Sequence, residues 1–583
     1  DQISTNFSFL AEHDALFVQL ASAAEGAFSS DPNTTLIKLR QLGEALAQHL
    51  AALSGIECDE QTSQSELLYR LNRELRLEPQ IKELFHILRI EGNKATHQFR
   101  TQHKEAMDGL KVARALAIWF HRSFGKAGAR FSPGPFVPPA DPSAQLRQLQ
   151  SDIEKLRHDL QHANTVLDSS QQLSQLIEQE KAEYEALAVA MDEESRALAE
   201  QARQHEQALS RQQQAYEQKI KALQQQLTQQ GEQTVNQQRQ QVAKQTKAAT
   251  DTLVLSEELT RILIDQQLQE AGWEADSQEL TFQKGARPEK GIYRAIAEWP
   301  THHNGEKGWA DYVLFVGLTP VAVVEAKKEN TNVAGKIRQA ERYSQGFKVE
   351  APLVGAWEQI GRTIAWPADD SGHYHVPFVY SCNGRPYVPQ LAEQSGTWFR
   401  DVRETSNLRR ALPQFHTPGG LLDLLERDKE SAEKLLKEEP FGYLKLREYQ
   451  QNAIIATENA LARGVRTALL AMATGTGKTR TIIGLMYRFL KVERFHRILF
   501  LVDRTALGQQ ATDAFNEAPL EQNHTLSKIY NVAELGDMAA EAETRIQVAT
   551  VQAMVKRIFM SDNPPPIDQF DCIIIDEAHR GYT

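Results

Sequence analysis

The chain has 583 residues, 41% hydrophobic and 24% charged, with a formal net charge of -12. At about 150 residues per domain this length predicts three to five units, and the acidic balance excludes a generally basic polymer-binding protein while leaving room for a local basic channel. Three widely spaced cysteines exclude a disulfide framework and a cysteine zinc site; no apolar run approaches the roughly 20 residues of a membrane span, and no signal-peptide pattern opens the chain, so a cytoplasmic setting with no membrane partner is expected.

Residues 1–135 read as a helical leader, with amphipathic stretches such as "TTLIKLRQLGEALAQHL" and "KVARALAIWFHRSF". In "RIEGNKATH", Gly92 and Asn93 predict a helix cap with His97 packed nearby. The same stretch resembles helical domains in which Arg and His cut RNA, with Arg89 and His97 as the pair, but the spacing is too long and packing is the preferred reading. "FSPGPFVPPADP" then ends the helical pattern. Leu146, Leu149, Ile153, Leu156, Leu160, Ala163 and Leu167 recur by threes and fours, and Tyr216, Ile220, Leu223 and Leu227 repeat the rhythm. Residues 143–248 are therefore expected as a coiled coil or long helical hairpin.

From 250 to 405 strands and helices mix, and "GWADYVLFVGLTPVAVVEAKKEN" contains two strand candidates joined at a turn containing Gly317 and Pro320. Folded about Leu318, the hairpin sets Asp311 opposite Glu325, with Cβ atoms about 5 Å apart, and Lys327 falls on the face of Glu325. Two carboxylates so placed can share a divalent cation, while the lysine offsets the charge of a scissile phosphate. A salt-bridged edge strand is the plainer alternative. The segment resembles the PD-(D/E)xK nucleases, which implies Mg²⁺ ligands at Asp311 and Glu325 and a catalytic Lys327; Ala310 stands where the family name has proline. "RQAERY" places Gln339 and Tyr343 on one helical face and looks like the QxxxY motif of one nuclease branch. "SEELTRILIDQQLQEAGW" resembles the first helix of that superfamily, with Glu257 and Glu258 both open as a further acidic residue. An acidic first helical turn explains either one equally well.

Residues 406–440 are expected as a linker, and a β/α alternation begins near 441. "LLAMATGTGKTRT" follows an expected short apolar strand and precedes a helix pattern, as a phosphate loop requires. In Thr474–Thr479 (Thr474, Gly475, Thr476, Gly477, Lys478, Thr479), the glycines bring backbone amides to the phosphates, Lys478 reaches the β and γ phosphates, and Thr479 meets Mg²⁺. Met472 replaces the leading glycine of the strict pattern. "FDCIIIDEAH" then ends a strand in Asp576, for Mg²⁺, and Glu577, for the hydrolytic water. These motifs resemble superfamily 2 helicases and translocases, which implies a base contact at Gln450 and DNA contacts at Thr550 and Gln552. Such motors use a second RecA-like domain, so a fragment with poor ATP hydrolysis is expected.

An ExK nuclease followed by a DEAH-box motor resembles the restriction subunit of type I restriction-modification enzymes, most like its IA branch. The resemblance implies a multidomain chain: helical leader, long helices, an α/β nuclease domain at 250–405 and a first RecA-like ATPase domain at 441–583. It implies ATP and Mg²⁺ as cofactors, double-stranded DNA as substrate, and modification and specificity subunits as partners, with S-adenosylmethionine on those partners only. A helicase-nuclease of DNA end processing, and an assembly module with a vestigial nuclease, are the competing readings.

Overall fold

The computed structural model describes residues 6–59, 61–98, 103–139, 200, 203–204, 206–226, 229–230, 232–327, 331–369, 371–503, 505–533, 544–561 and 563–578. The expected seam from Leu146 to Leu167 lies outside the described residues. The chain divides into two compact units, Asp1–Leu259 and Thr260–Thr583.

The first unit is helical: α1 Ala15–Ala27, α2 Pro32–Leu53, α3 Gln64–Leu75, α4 Pro79–Gln98 and α5 His103–Phe124. Asp31 starts α2 by accepting from Asn33 and Thr34 amides, with Pro32 in the first turn, where its missing N–H costs nothing. Leu36, Leu39, Leu46 and Leu50 of α2 and Leu116, Trp119 and Phe120 of α5 are buried, and the two helices pack together. The expected cap at Gly92 and Asn93 is corrected, because α4 runs on through both. A Cβ on Gly92 would come within 2.4 Å of Arg40 Cβ, and Arg40 donates to Asn93 Oδ1 at 2.7 Å. Glycine here lets two helices approach closely; it does not end one. Arg89 is buried beside His86, and the side chain of His97 lies outside the described residues.

Residues 206–226 are helical, and Tyr216 and Ile220 bury. The Tyr216 hydroxyl donates to Ala45 O of α2 at 2.8 Å. In α6, Glu232–Thr252, Thr250 accepts from the Trp119 indole at 2.9 Å. The described part of the segment expected as a coiled coil therefore packs on the leader. Its apolar rhythm was visible in sequence, but such a rhythm does not say which surface it covers.

α7 (Glu257–Glu270) begins in the last residues of the first unit and continues in the second, where it precedes a seven-stranded sheet of order β1-β2-β3-β4-β7-β8-β9. Its strands are β1 Glu274–Ala275, β2 Tyr293–His303, β3 Glu306–Val316, β4 Thr319–Ala326, β7 Phe378–Cys382, β8 Thr397–Asp401 and β9 Arg410–Leu412; β5 Trp366–Pro367 and β6 His373–Tyr374 pair separately. β2, β3 and β4 are antiparallel neighbours, and β4 runs parallel to β7. The chain between β4 and β7 includes α8, Val333–Gln345, which packs on both strands. Ile264 and Leu268 of α7 join Val313, Phe315 and Val323 in this core.

The expected linker 406–440 is corrected, because it is folded. It supplies β9, then α9 (Pro418–Glu426), whose Leu421 and Leu425 enter the same core, then α10 (Lys429–Glu438), whose Ala432 and Leu436 enter the next. Its charges and short apolar pairs hid two amphipathic helices of nine and ten residues.

That next core belongs to a parallel sheet of order β11-β12-β10-β13, formed by β10 Ile498–Val502, β11 Val532–Ala533, β12 Ile546–Thr550 and β13 Cys572–Ile575. Helices α11 Glu448–Ala462, α12 Lys478–Lys491, α13 Thr505–Glu517 and α14 Val551–Phe559 connect and cover it. Arg488, 1% exposed, anchors α12 by pairing with Glu458 at 2.6 Å and donating to Leu436 O. The strand expected before the phosphate loop is absent: residues 465–473 take no strand, and Leu469 is 82% exposed. A strand needs a hydrogen-bonded neighbour, and among the described residues none pairs with the outer edge of β13. No helix among the described residues is long and apolar enough to cross a membrane.

Candidate active site

The β3–β4 hairpin turns tightly at Gly317 and Leu318, with Val316 opposite Thr319 and Phe315 opposite Pro320. Continued regularly, that ladder would set Asp311 against Val324 and send Glu325 to the other face. A bulge intervenes. Leu314 pairs with Ala322, leaving Val321 as the extra residue, and Tyr312 pairs with Val324. The ladder pairs end there; extended by one position the register puts Asp311 across from Glu325, and the Ala326 amide beside it does donate to Asp311 Oδ2 at 2.8 Å. Pro320, with no N–H for the ladder, sits next to the bulge, a placement that proline favours.

Glu325 is 1% exposed. Burial and then the charge of Asp311 push its carboxyl up to about 7, against the opposing pull of Lys327. Lys327 abuts Glu325 Oε1 as its ion-pair partner, and Glu325 Oε2 has no hydrogen-bond donor. Lys327 is held at the strand end by its amide, which donates to Cys382 O at 2.8 Å. Asp311 Oδ2 accepts from the Ala326 amide at 2.8 Å, and Oδ1 pairs with Arg261 at 2.8 Å.

On α8, started by the Asn332 cap on Gly335 N, Gln339 donates to the Tyr343 hydroxyl at 2.6 Å. Burial, with Glu325 and Asp311 close enough to add to it, raises the Tyr343 hydroxyl above its ordinary pKa, while Gln339 opposes. The helix face expected from the spacing thus reaches the carboxylates. Of the two acidic candidates of α7, Glu258 pairs with Lys111 at 2.5 Å. The residue of α7 that does reach Asp311 is Arg261. Sequence reasoning missed it by looking on that helix for an acid. Asp265, one turn on, accepts from the Tyr312 hydroxyl and from Ser277, so it fixes β3 from behind.

The donor set fits a hard divalent cation. Two carboxylates face each other, and one buried oxygen lacks a donor. Among the described residues no three His, Cys, Asp or Glu side chains converge as a ligand cage, and Mg²⁺ characteristically takes one or two carboxylates and completes its shell with water and phosphate.

The second constellation is the phosphate loop. Gly475 and Gly477 have φ of 79° and 78°, in the region glycine adopts without strain, and a Cβ on Gly477 would meet Gln450 Nε2 at 2.5 Å. Thr476 Oγ1 donates to Ala473 O, closing the turn; Thr474 and Thr479 are exposed. Lys478, at the start of α12, pairs with Glu577 at 2.9 Å, and Asp576 Oδ1 accepts from the Glu577 amide. The two halves of the site, 99 residues apart, are therefore joined. Gln450 is 3% exposed and committed at both ends, accepting from the Arg447 amide and donating to Thr476 O at 2.8 Å. In this arrangement it braces the loop and does not present itself to a base. Tyr449, not anticipated, braces it too, donating to Thr476 O at 2.9 Å. Thr550 caps α14 through Ala553 N, and Gln552 is exposed beside it.

Residues 274–425 match the family described as the second domain of the type I restriction enzyme EcoKI endonuclease subunit, and residues 443–583 match the type III restriction enzyme res subunit family. Residues 22–119 match a domain of unknown function, DUF4145. An α/β domain carrying paired carboxylates, followed by a helicase-like domain with a phosphate loop, is thus the arrangement of a restriction-enzyme chain. The chain is 40% identical to the type I restriction enzyme EcoKI endonuclease subunit of Escherichia coli (strain K12), over 99% of this chain and 49% of that protein. It is 33% identical to the EcoAI endonuclease subunit of Escherichia coli over 47% of this chain and 30% of that protein, and 27% identical to the SsaAORF53P endonuclease subunit of Staphylococcus saprophyticus over 46% and 27%. This chain is homologous over nearly its whole length to the endonuclease subunit of a type I restriction enzyme, and it spans about half the length of EcoKI's.

Proposed function

We propose that the chain carries the nuclease and the nucleotide-binding part of the motor of a type I restriction enzyme: ATP-driven translocation of double-stranded DNA, coupled to Mg²⁺-dependent cleavage away from the recognition site. In this reading residues 250–405 are a PD-(D/E)xK nuclease and 441–583 a RecA-like motor domain. The helical leader, 1–135, and the segment after it, 143–248, serve assembly with modification and specificity subunits in the cytoplasm, S-adenosylmethionine being bound by those partners.

The observation that carries this reading is the grouping of Asp311, in the middle of β3, with Glu325 and Lys327 at the end of β4, near enough to the Gln339–Tyr343 pair of α8 for both carboxylates to act on the Tyr343 hydroxyl. Asp311 and Glu325 offer oxygens to Mg²⁺, which when bound supplies Lewis-acid stabilisation and water activation. Lys327 places an ammonium where the charge of a scissile phosphate would otherwise go unopposed. Gln339 and Tyr343 act as one hydrogen-bonded unit that orients groups at the mouth. In the motor, Lys478 and Thr479 stand where the triphosphate would lie at the start of a helix. Glu577, released from Lys478 by those phosphates, is free to orient the hydrolytic water.

The test is nicking of a supercoiled plasmid by the chain in Mg²⁺. Glu325→Gln and Lys327→Ala should each lower the rate on the order of a hundredfold while leaving the circular dichroism spectrum unchanged. Nicking that survives both substitutions contradicts the assignment. In parallel, Lys478→Ala should abolish ATP binding and leave plasmid nicking intact.

A further inference from the structure

Resting on the nuclease reading above, we infer that Arg261 is the counter-ion that holds the metal site closed until DNA arrives. Its guanidinium occupies Asp311 Oδ1 at 2.8 Å, the atom a cation would take, while Oδ2 is held by the Ala326 amide. Asp311 thus has no oxygen free of a donor. On the other side, Lys327 abuts Glu325. Two carboxylates face two cations, so when both carboxylates are ionised their charge is already matched before any metal enters, with Asp265 a further acid near Arg261.

A dication entering this largely buried cluster gains less from the carboxylates than it would from unpaired ones, because both resident cations repel it. Metal entry therefore requires Arg261 to leave Asp311. The arginine has somewhere to go: its side chain is 24% exposed and Asp311 19%, and its guanidinium lies on the flank of the Tyr312 ring, 5.8 Å from the centroid. Tyr312 itself is fixed by Asp265 at 2.9 Å, so the ring stays put while the arginine swings. A guanidinium displaced from a carboxylate finds an equivalent, bidentate partner in a phosphodiester. DNA thus supplies the partner that frees Asp311, and the phosphate adds negative charge that offsets the incoming metal. Metal and DNA then bind with positive coupling, each raising the affinity for the other by the same factor. The physical consequence is a nuclease that carries little metal, and so little cutting capacity, until a duplex is seated.

Calcium titrated into the full chain by calorimetry, without nucleotide, tests this. The nuclease site is the portion of Ca²⁺ binding that Glu325→Gln removes. Without DNA, Arg261→Gln should tighten that portion about fivefold or more, whereas Arg261→Lys, which keeps a cation there, should stay near the unsubstituted chain. A short DNA duplex should tighten Ca²⁺ binding in the unsubstituted chain by a larger factor than in Arg261→Gln. Unchanged or weaker Ca²⁺ binding in a folded Arg261→Gln protein overturns the counter-ion role and leaves the nuclease reading standing. Ca²⁺ binding that Glu325→Gln does not touch overturns the nuclease reading itself.

Discussion

Glu325 is buried beside another carboxylate, and its acid form is favoured to about pH 7. Between the ordinary value of 4.5 and about 7 the native state therefore holds a proton that the unfolded chain has released. The contribution to stability is present below the unfolded pKa and is lost as pH rises through the folded one. Glu325→Gln, neutral at every pH, should melt higher than the unsubstituted chain at pH 8 in metal-free buffer, with the difference closing by pH 5. An equal shift at both pH values would contradict the burial argument. His416 behaves oppositely. Buried and bonded to the Tyr380 hydroxyl at 2.6 Å, it has a pKa lowered by burial to about 4 from 6.5. Its neutral form adds stability that is present above the unfolded pKa and is lost as pH falls from 6.5 towards 4. His416→Gln should flatten that acid limb in a thermal melt series.

At the scale of elements, the site depends on one hairpin and one helix, and these differ in how much sequence reveals. The apolar alternation of β3 and β4 and the turn residues between them make the hairpin legible, and the expected facing of Asp311 and Glu325 agrees with the register beyond the bulge. The bulge itself was not legible. A pattern symmetric about Leu318 and a tight turn at Gly317 and Leu318 with an extra residue at Val321 leave the same alternation in sequence. Arg261 was hidden for a different reason: helical spacing gives the face but not the charge that a partner strand presents. The apolar run before the phosphate loop misled because periodicity reports burial in a complete sheet, and β13 has no neighbour on that side among the described residues. The start of α8 is set by Asn332, which accepts from Gly335 N at 2.6 Å and donates to Glu393 at 2.9 Å. Asn332→Ala should cost about 1 kcal/mol, measured by denaturant unfolding. It should also weaken nicking through Gln339 and Tyr343 while leaving ATP binding intact.

Across the second unit, the α/β domain is tied to the helicase-like domain through the loop that precedes β13. Asp568 accepts from Thr417 N and Oγ1 at 2.6 and 2.9 Å at the start of α9, and Asp571 pairs with Arg427 at 2.7 Å at its end. Asp571 also accepts from the His496 and Arg497 amides, and Arg497 pairs with Asp423 of α9 at 3.0 Å. The strand that leads into Asp576 and Glu577 is thereby connected to the helix that closes the core of the α/β domain. Asp571→Ala leaves a mostly buried arginine and two amides without their acceptor and should cost about 3 kcal/mol. Hydrogen exchange should rise across 418–426 while the β3–β4 hairpin stays protected.

The central claim is that Asp311 and Glu325 hold a divalent cation once Arg261 releases Asp311. Anomalous scattering from Mn²⁺ in crystals of the chain bound to a DNA duplex tests it most directly. The account predicts a peak between the two carboxylates, about 2.2 Å from their oxygens, with the Arg261 guanidinium moved onto a phosphate. A duplex seated at the hairpin with Arg261 still on Asp311 and no ion between the carboxylates would contradict it.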